Sequence, residues 1–383
     1  MSPNDAVTND AGPDHAVPGG STTVQCPLLR PGEVRHELPL TARHLDTVSR
    51  GRQDVRSILH GTDDRLLVIV GPCSIHDPIA GLEYARRLAG QAAERSNDLC
   101  IVMRSYFEKP RSVAGWKGLI PDPQLDGSNR VNEGILTARA LLLEILSLDL
   151  PVGCEFVDPL ASTFLADAVS WAAIGARTSQ SPTHRQLASG LPLPVGFKNS
   201  PDGDVQVAVD AATAASLPQI SLGVGDDGRA TVFETSGNPD GHVVLRGGSG
   251  GPNFGRADIK AARLRLERAG PPCLPRRVIV DASHGNSGKD HRAQTAVATE
   301  VAGLVAEDEP GIAGVMVESF LVPGRQPIGP GGDSVLTFGQ SVTDACMGWE
   351  ETTRTLDALA DAVAARRASA PTGTTVCCAP VTG

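Results

Sequence analysis

The sequence predicts an α/β chain folded as a closed (β/α)8 TIM barrel. Two patterns carry that prediction. Eight short apolar runs alternate with helical patterns over most of the chain, as they do where a parallel sheet is wrapped by helices. A charged or nucleophilic residue follows each run, at the C-terminal strand ends where such barrels build their active sites. A doubly wound open sheet is the competing topology for the same alternation.

Residues 1–25 are rich in Pro, Gly, Asp, Asn, Ser and Thr and nearly free of large apolar side chains, a composition that predicts a disordered tail. Residues 26–65 are an N-terminal extension, where a mixed polar and apolar pattern from Leu38 to His60 opens at Thr41, a helix-capping residue type. The catalytic barrel takes residues 66–367. Its strands are predicted at Leu66–Val70, Cys100–Met103, Val152–Val157, Ala172–Ala176, Pro194–Lys198, His242–Leu245, Arg277–Val280 and Ile312–Val317, each short and apolar enough to be buried on both faces. Two further runs, Gln219–Val224 and Ala230–Thr235, flank Gly225-Asp226-Asp227-Gly228 and predict a β-hairpin inserted before strand six. Residues 368–383 are Ala, Pro, Thr and Gly again and predict a second disordered tail, with Cys377 and Cys378 in solvent.

The 383 residues suffice for one large α/β domain or two ordinary ones. A formal net charge of -10 argues against a nucleic-acid binder, so the chain's local clusters of cations must serve something small and anionic, such as a phosphorylated or carboxylated metabolite. No apolar run is long enough to span a bilayer, and the N-terminus lacks the basic and apolar regions of a secretion signal. A cytoplasmic enzyme is therefore expected. The eight cysteines include no CxxC pair and read as reduced thiols, several of them inside apolar runs.

Chemistry-bearing residues follow the strands in order. Strand one gives way to Gly71-Pro72-Cys73-Ser74-Ile75-His76-Asp77, strand two to Arg104 and Lys109, strand three to Glu155 and strand four to Arg177. Strand five leads to Lys198, strand six to Arg246-Gly247-Gly248, strand seven to Asp281 and His284, and strand eight to Glu318. Arg104, Lys109, Arg177, Lys198 and Arg246 would converge five cations on one rim, enough to hold the carboxylate and phosphate of a small polyanion. Gly247 and Gly248 would allow backbone amides to approach an oxyanion, although a glycine pair is more often only a turn. Cys73, His284, Glu318 and Asp344 form a second group. One thiolate, one imidazole and two carboxylates suit a divalent transition ion such as Mn²⁺, Fe²⁺, Co²⁺ or Zn²⁺. Their dispersed spacing equally admits a buried thiol and a hydrogen-bonded core histidine.

Taken together, the first of these runs, Tyr106-Phe107-Glu108-Lys109-Pro110-Arg111-Ser112, Gly115-Trp116-Lys117-Gly118-Leu119, Gly175-Ala176-Arg177-Thr178, Val195-Gly196-Phe197-Lys198-Asn199, Leu245-Arg246-Gly247-Gly248, Ser283-His284-Gly285-Asn286-Ser287 and Val315-Met316-Val317-Glu318-Ser319 resemble class I 3-deoxy-D-arabino-heptulosonate 7-phosphate (DAHP) synthases of the bacterial and fungal alpha subfamily. The match runs in one register from about residue 35 to 367. It implies a metal-dependent, aldol-type condensation of phosphoenolpyruvate with erythrose 4-phosphate, the entry step of the shikimate pathway. By the same resemblance the ion, Mn²⁺ first among the candidates, would be held by Cys73, His284, Glu318 and Asp344. Phosphoenolpyruvate would meet Arg104, Lys109, Glu155 (through water), Arg177, Lys198 and Arg246. Erythrose 4-phosphate would meet Lys109, Pro110, Arg111, Ser112 and Asp344, and the catalytic set would be Lys109, Cys73, His284 and Glu155. A homodimer or homotetramer is implied, with the N-terminal extension a candidate contact.

Ser112 stands where the family carries threonine, which keeps the hydroxyl and loses a methyl. Two alternatives stand beside this reading: an octulosonate 8-phosphate synthase, disfavoured because its corresponding loop resembles Lys-Ala-Asn-Arg where this chain has Lys109-Pro110-Arg111-Ser112, and a catalytically inactive sugar-phosphate-binding relative. The segments that correspond to effector contacts in phenylalanine- or tyrosine-controlled members are Ser162-Thr163, Leu191-Pro192, Ser221-Leu222-Gly223 and Phe233. They depart from a phenylalanine pocket: Pro192 removes a hydroxyl, and Ser221 and Gly223 are small. Inhibition by phenylalanine is accordingly expected to be weak or absent, and potent inhibition in a phosphate-release assay would refute this.

Overall fold

Eight apolar runs become eight parallel strands that close on themselves in the order Leu66–Gly71, Ile312–Glu318, Val278–Asp281, Gly241–Leu245, Val195–Lys198, Trp171–Ile174, Val152–Glu155 and Leu99–Arg104, in a computed structural model that describes residues 25–111, 115–329 and 335–369. Closure rules out the open doubly wound sheet. Helices α1 (Pro31–Glu37) and α2 (Ala42–Leu59) precede β1 (Leu66–Gly71). There follow α3 (Pro78–Glu94), β2 (Leu99–Arg104), α4 (Val131–Leu146), β3 (Val152–Glu155), α5 (Ala161–Leu165), β4 (Trp171–Ile174), α6 (Pro182–Gly190), β5 (Val195–Lys198) and α7 (Gln206–Ala215). The antiparallel hairpin of β6 (Gln219–Val224) and β7 (Ala230–Thr235) is inserted before β8 (Gly241–Leu245). The chain ends with α8 (Arg256–Ala269), β9 (Val278–Asp281), α9 (Ala293–Ala306), β10 (Ile312–Glu318), the short strands β11 (Val322–Arg325) and β12 (Gln340–Ser341), and α10 (Trp349–Ser369).

Local chemistry explains several boundaries. Thr41 caps α2, its hydroxyl accepting from His44 N at 3.3 Å, and Asp77 caps α3 by accepting from Ile79 N at 2.9 Å, with Pro78 in the first turn. β3 stops at Glu155, short of the predicted Val157, because the amides of Val157 and Asp158 leave the ladder to donate to the Glu108 carboxylate at 3.1 Å each. β4 stops at Ile174, short of Ala176, where Thr178 N and Ser179 N both turn back to Gly175 O at 3.0 Å. The last helix carries Ala368 and Ser369, which the sequence assigns to the tail. The remaining tail residues, 1–24 and 370–383 with Cys377 and Cys378, lie outside the described residues.

Inside the barrel, side chains of alternate strand positions form one apolar layer that includes Leu67, Ile69, Val102, Trp171, Val244, Ile279 and Met316. The N-terminal extension is packed against this layer: Val55, Ile58 and Leu59 of α2 belong to the same cluster and cover the N-terminal mouth. Arg139 of α4, wholly buried, fixes the extension by donating to Leu38 O and Phe164 O at 2.8 Å and to both oxygens of Asp167. The hairpin tip is tied down too. Gly32 N donates to Asp226 O at 3.0 Å, and Arg35 bridges the Asp226 carboxylate and Thr163 O. The Gly225-Asp226-Asp227-Gly228 turn therefore docks onto α1.

Low in the barrel, Trp171 Nε1 donates to His242 Nε2 at 3.1 Å, and His242 Nδ1 donates to Asp240 O at 2.9 Å. Gly196 leaves room for this pair, since a Cβ there would lie 2.8 Å from Trp171 and 3.0 Å from His242. Burial lowers the His242 pKa to about 4. Between about pH 6.5 and about pH 4 the unfolded chain takes up a proton on this ring that the folded chain refuses, so stability falls as pH drops through that window. His242→Gln, which can still accept from Trp171 but has no proton to gain, is expected to flatten that slope in denaturant midpoints measured from pH 7 to pH 4.

Candidate active site

The same alternation that fills the barrel with apolar side chains ends, at the C-terminal mouth, in ionisable ones. On β2 the inward row Cys100, Val102 continues to Arg104; on β9 Ile279 is followed by Asp281, and on β10 Met316 by Glu318. Glu155 and Lys198 occupy the matching ends of β3 and β5, and Arg246 directly follows β8. Parallel pairing places Gly71 beside Glu318 and Met316 beside Asp281, which brings the metal-type and cation-type groups onto one rim.

Three ion pairs organise that rim. Arg104, 1% exposed, donates to Glu318 at 2.8 Å and to the carbonyls of Pro72 and Cys73, with its guanidinium 3.6 Å from the centre of the Tyr106 ring. Lys198 Nζ lies 2.8 Å from Asp281. Lys109 Nζ reaches both Asp344 at 2.8 Å and Cys73 Sγ at 2.9 Å. Burial opposes ionisation of each carboxylate, but the neighbouring cations win. Lys198 and His284 hold Asp281 well below the usual range, His284 and Arg104 lower Glu318, and Lys109 lowers Asp344. Burial alone would lower Lys109, yet Cys73, Glu318 and Asp344 keep its ammonium protonated.

Cys73, Glu318 and Asp344 present one donor atom each within 4.8 Å of one another. His284 stands at their edge, Nε2 3.8 Å from Glu318 and Nδ1 2.9 Å from Asp281, which leaves Nε2 directed at the cluster. A thiol, two carboxylates and an oriented imidazole fit a divalent transition ion. Burial, with Glu318 beside it, pushes the Cys73 thiol up, and binding of a divalent cation displaces such a proton. Asp344 reaches this cluster by a route that no strand pattern shows. The segment after β12 folds back through Met347 N to Glu318 O and Phe320 N to Met347 O, both 2.9 Å, while Cys346 Sγ accepts from Cys73 N at 3.4 Å.

Above the cluster lies a cavity of about 570 Å³ whose walls include Arg104, Lys109, Arg177, Lys198 and Arg246. Glu155, Pro110, Arg111, His284 and Asp344 face the same space, whereas Cys73 and Glu318 are buried beneath it. Arg111 is exposed and donates through Nε to Trp116 O at 3.0 Å. Ser112 lies outside the described residues. The Gly247-Gly248 pair does not offer free amides to an oxyanion: Gly247 N donates to Asn253 and Gly248 N to Gly251 O. These glycines instead let the β8 loop touch Gly203 and Gly285, where a Cβ on Gly248 would meet Gly203 N at 2.3 Å. A second cavity, of about 620 Å³, gathers Ser162, Thr163, Leu191, Pro192, Ser221 and Phe233, so the separated segments singled out from the sequence line one space.

Two residues were visible in the sequence without a role. Asp281 sits in the strand that was predicted to end before it, and it pairs with two members of the site. Glu108, whose burial pushes its pKa up to about 8, clamps the loop after β3 beside Lys109. A carboxylate inside an otherwise cationic motif was the available signal.

A closed parallel barrel with a polycationic pocket over an ion-type donor cluster defines an enzyme of the (β/α)8 class that acts on small anions. Comparison with known proteins narrows the class. Residues 39–357 match the family model described as the DAHP synthetase I family, and the chain belongs to that family. It is 49% identical over 337 residues to a phospho-2-dehydro-3-deoxyheptonate aldolase of Corynebacterium glutamicum, covering 87% of this chain and 90% of that one. The Phe-sensitive enzyme of that name from Escherichia coli K12 is 48% identical over 340 residues, 89% of this chain and 95% of its own. The solved structure of the Francisella tularensis SCHU S4 enzyme superposes with a TM-score of 0.86 at 44% identity, covering 90% of this chain and 99% of that one.

Gly175 faces Glu155, and a Cβ at that position would lie 2.1 Å from Glu155 Oε1. Because the obstructed atom ends a flexible side chain, Gly175→Ala should leave the melting temperature nearly unchanged and turn the carboxylate away. Steady-state kinetics are expected to show KM for the phosphorylated substrate raised about fivefold, the worth of one ordinary hydrogen bond of about 1 kcal/mol.

Proposed function

We propose that this chain catalyses the condensation of phosphoenolpyruvate with D-erythrose 4-phosphate and water to give DAHP and inorganic phosphate, the first step of the shikimate pathway. The observation that carries the reading is the rim itself. Five cations line one cavity directly above a thiol, carboxylate and imidazole cluster, in a chain whose family members are named for this product.

In this reading Arg104, Arg177, Lys198 and Arg246 hold the carboxylate and phosphate of phosphoenolpyruvate, and Glu155 contacts it through water. Arg111, Ser112 and the Pro110 loop hold the aldose phosphate, with Lys109 and Asp344 at the reacting end. C3 of the enol attacks the aldehyde carbon, C1. Lys109, kept protonated by its anionic neighbours, stabilises the oxygen on which charge develops and can deliver a proton to it. Water then adds at C2, and phosphate leaves with cleavage of its C–O bond. A divalent ion bound by Cys73, His284, Glu318 and Asp344 would supply Lewis-acid polarisation of the aldehyde oxygen. Fixing two polyanions in one preorganised cationic pocket lowers the entropic and electrostatic parts of the barrier together.

Manganese is the ion proposed, with Fe²⁺, Co²⁺ and Zn²⁺ compatible with the same donors. The names of the relatives support the heptulosonate reaction over the octulosonate one, and all five cations and four ligand types are present, which gives no support to an inactive relative. No helix among the described residues is long and apolar enough to cross a membrane, in keeping with a cytoplasmic enzyme. Assembly as a homodimer or homotetramer belongs to the same proposal. It is supported by the outer face of the β6–β7 hairpin, where Ile220, Leu222 and Val232 are 68%, 83% and 66% exposed.

Phosphate release with both substrates should require an added divalent ion and vanish with a chelator, and a chain that releases phosphate equally well in chelator would overturn the metal assignment. Lys109→Ala is expected to lower kcat by at least about 100-fold, the range seen when a charge-stabilising donor is removed. Wild-type kinetics in that variant would remove Lys109 from the chemistry.

A further inference from the structure

Asp281, fully buried at the end of β9, receives three hydrogen bonds on two oxygens and has the His284 ring against one of them. Oδ1 accepts from the amide and the hydroxyl of Ser283. Oδ2 accepts from Lys198 Nζ at 2.8 Å and lies 2.9 Å from His284 Nδ1, which is also 3.2 Å from Ser283 Oγ. A single carboxylate oxygen is thus shared between a cation assigned to the substrate and an imidazole assigned to the ion. The sharing fixes the histidine tautomer, since Nδ1 must carry the proton to bond a carboxylate, which leaves the Nε2 lone pair for the cluster. It also holds the ring where the backbone alone would not: His284 has φ 53°, in the left-handed region that side-chain-bearing residues seldom enter.

We propose that Asp281 is a positioning residue that couples the two halves of the site, so that filling the ion site raises affinity for phosphoenolpyruvate and the reverse. The inference rests on the assignment of His284 to the ion and Lys198 to phosphoenolpyruvate. A cation on Nε2 withdraws charge from the ring, so Nδ1–H becomes the stronger donor and takes a larger share of Oδ2. Lys198 is then held less tightly by the protein and more freely by an incoming anion. In the other direction, an anion that draws Lys198 away leaves Oδ2 to the imidazole, which makes Nε2 the more basic ligand. Linkage requires the two effects to be equal. An asparagine cannot replace the carboxylate. Whichever way its amide is turned, the NH2 faces two donors, either those of Ser283 or the Lys198 and His284 pair.

The test is direct titration of the chelator-treated full chain with Mn²⁺, followed by the magnetic resonance signal of the free ion, with and without saturating phosphoenolpyruvate. Phosphoenolpyruvate is expected to raise Mn²⁺ affinity about tenfold in the wild type, within the ordinary range of site coupling. Asp281→Asn should weaken Mn²⁺ binding by about 10-fold to 100-fold, as loss of an outer carboxylate does, and should also reduce the enhancement several-fold. Lys198→Met should show the same reduced enhancement with Mn²⁺ binding in the absence of phosphoenolpyruvate already tightened, because Oδ2 is left to the imidazole in advance. If Asp281→Asn does not fold, Lys198→Met alone decides. An enhancement unchanged in either folded variant would overturn the coupling, even if both affinities fell. If His284→Ala binds Mn²⁺ as tightly as the wild type, the site assignment itself fails, a result separate from failure of the coupling.

Discussion

The mouth of this barrel keeps ions of both signs away from water, and three of its cations are each held there by a carboxylate within hydrogen-bond distance. Arg104 with Glu318, Lys198 with Asp281 and Lys109 with Asp344 form a ring of such pairs. Removing one partner from a pair of this kind strands the other at a cost of about 3 to 5 kcal/mol, so the pairs fix one another's positions. They also leave the cationic faces toward the cavity. The pocket is therefore preorganised, its cations fixed in place before an anion arrives, the condition under which fixed charges act most strongly on a reaction.

Everything below the mouth serves to hold those charges still. The apolar layer around Trp171 and Met316 fills the barrel, α2 covers its N-terminal opening, and Arg139 ties the extension to α4 and to the loop beyond α5. Glycines act where loops must touch. Gly247, Gly248, Gly203 and Gly285 let the loops after β5, β8 and β9 pack backbone against backbone, and Gly175 leaves room for the Glu155 carboxylate. On the flank, Asp226 links the inserted hairpin to α1, and Arg35 continues that link to Thr163 at the wall of the second cavity. The N-terminal extension and the hairpin thus form one continuous structure beside the barrel.

Much of this was legible in the sequence because a parallel barrel imposes two simple periods. Strands buried on both faces read as uninterrupted apolar runs, and the chemistry follows each of them. That is why Arg104, Glu155, Lys198, Arg246 and Glu318 could be placed at strand ends before any geometry was known. Boundaries set by side chains were less accessible. β3 ends early because Glu108, 47 positions before Glu155 in the chain, captures two of the amides that follow it. The pairing of β11 with β12, and with it the return of Asp344 to the rim, depends on contacts between short segments with little pattern of their own.

By itself the sequence determined the barrel, the inserted hairpin, the residue types at the rim and, through its motifs, the family. Those features are written in periodicity and in contiguous strings. Only the tertiary structure decided which rim charges are partners, that Asp281 serves both Lys198 and His284, that the Gly247-Gly248 amides are spent on Asn253 and Gly251, and that the hairpin turn rests on α1. The physical reason is the same in each case. A hydrogen bond or ion pair depends on distances held to within a few tenths of an ångström between residues far apart in the chain, and such distances are fixed by packing, not by the local order of amino acids.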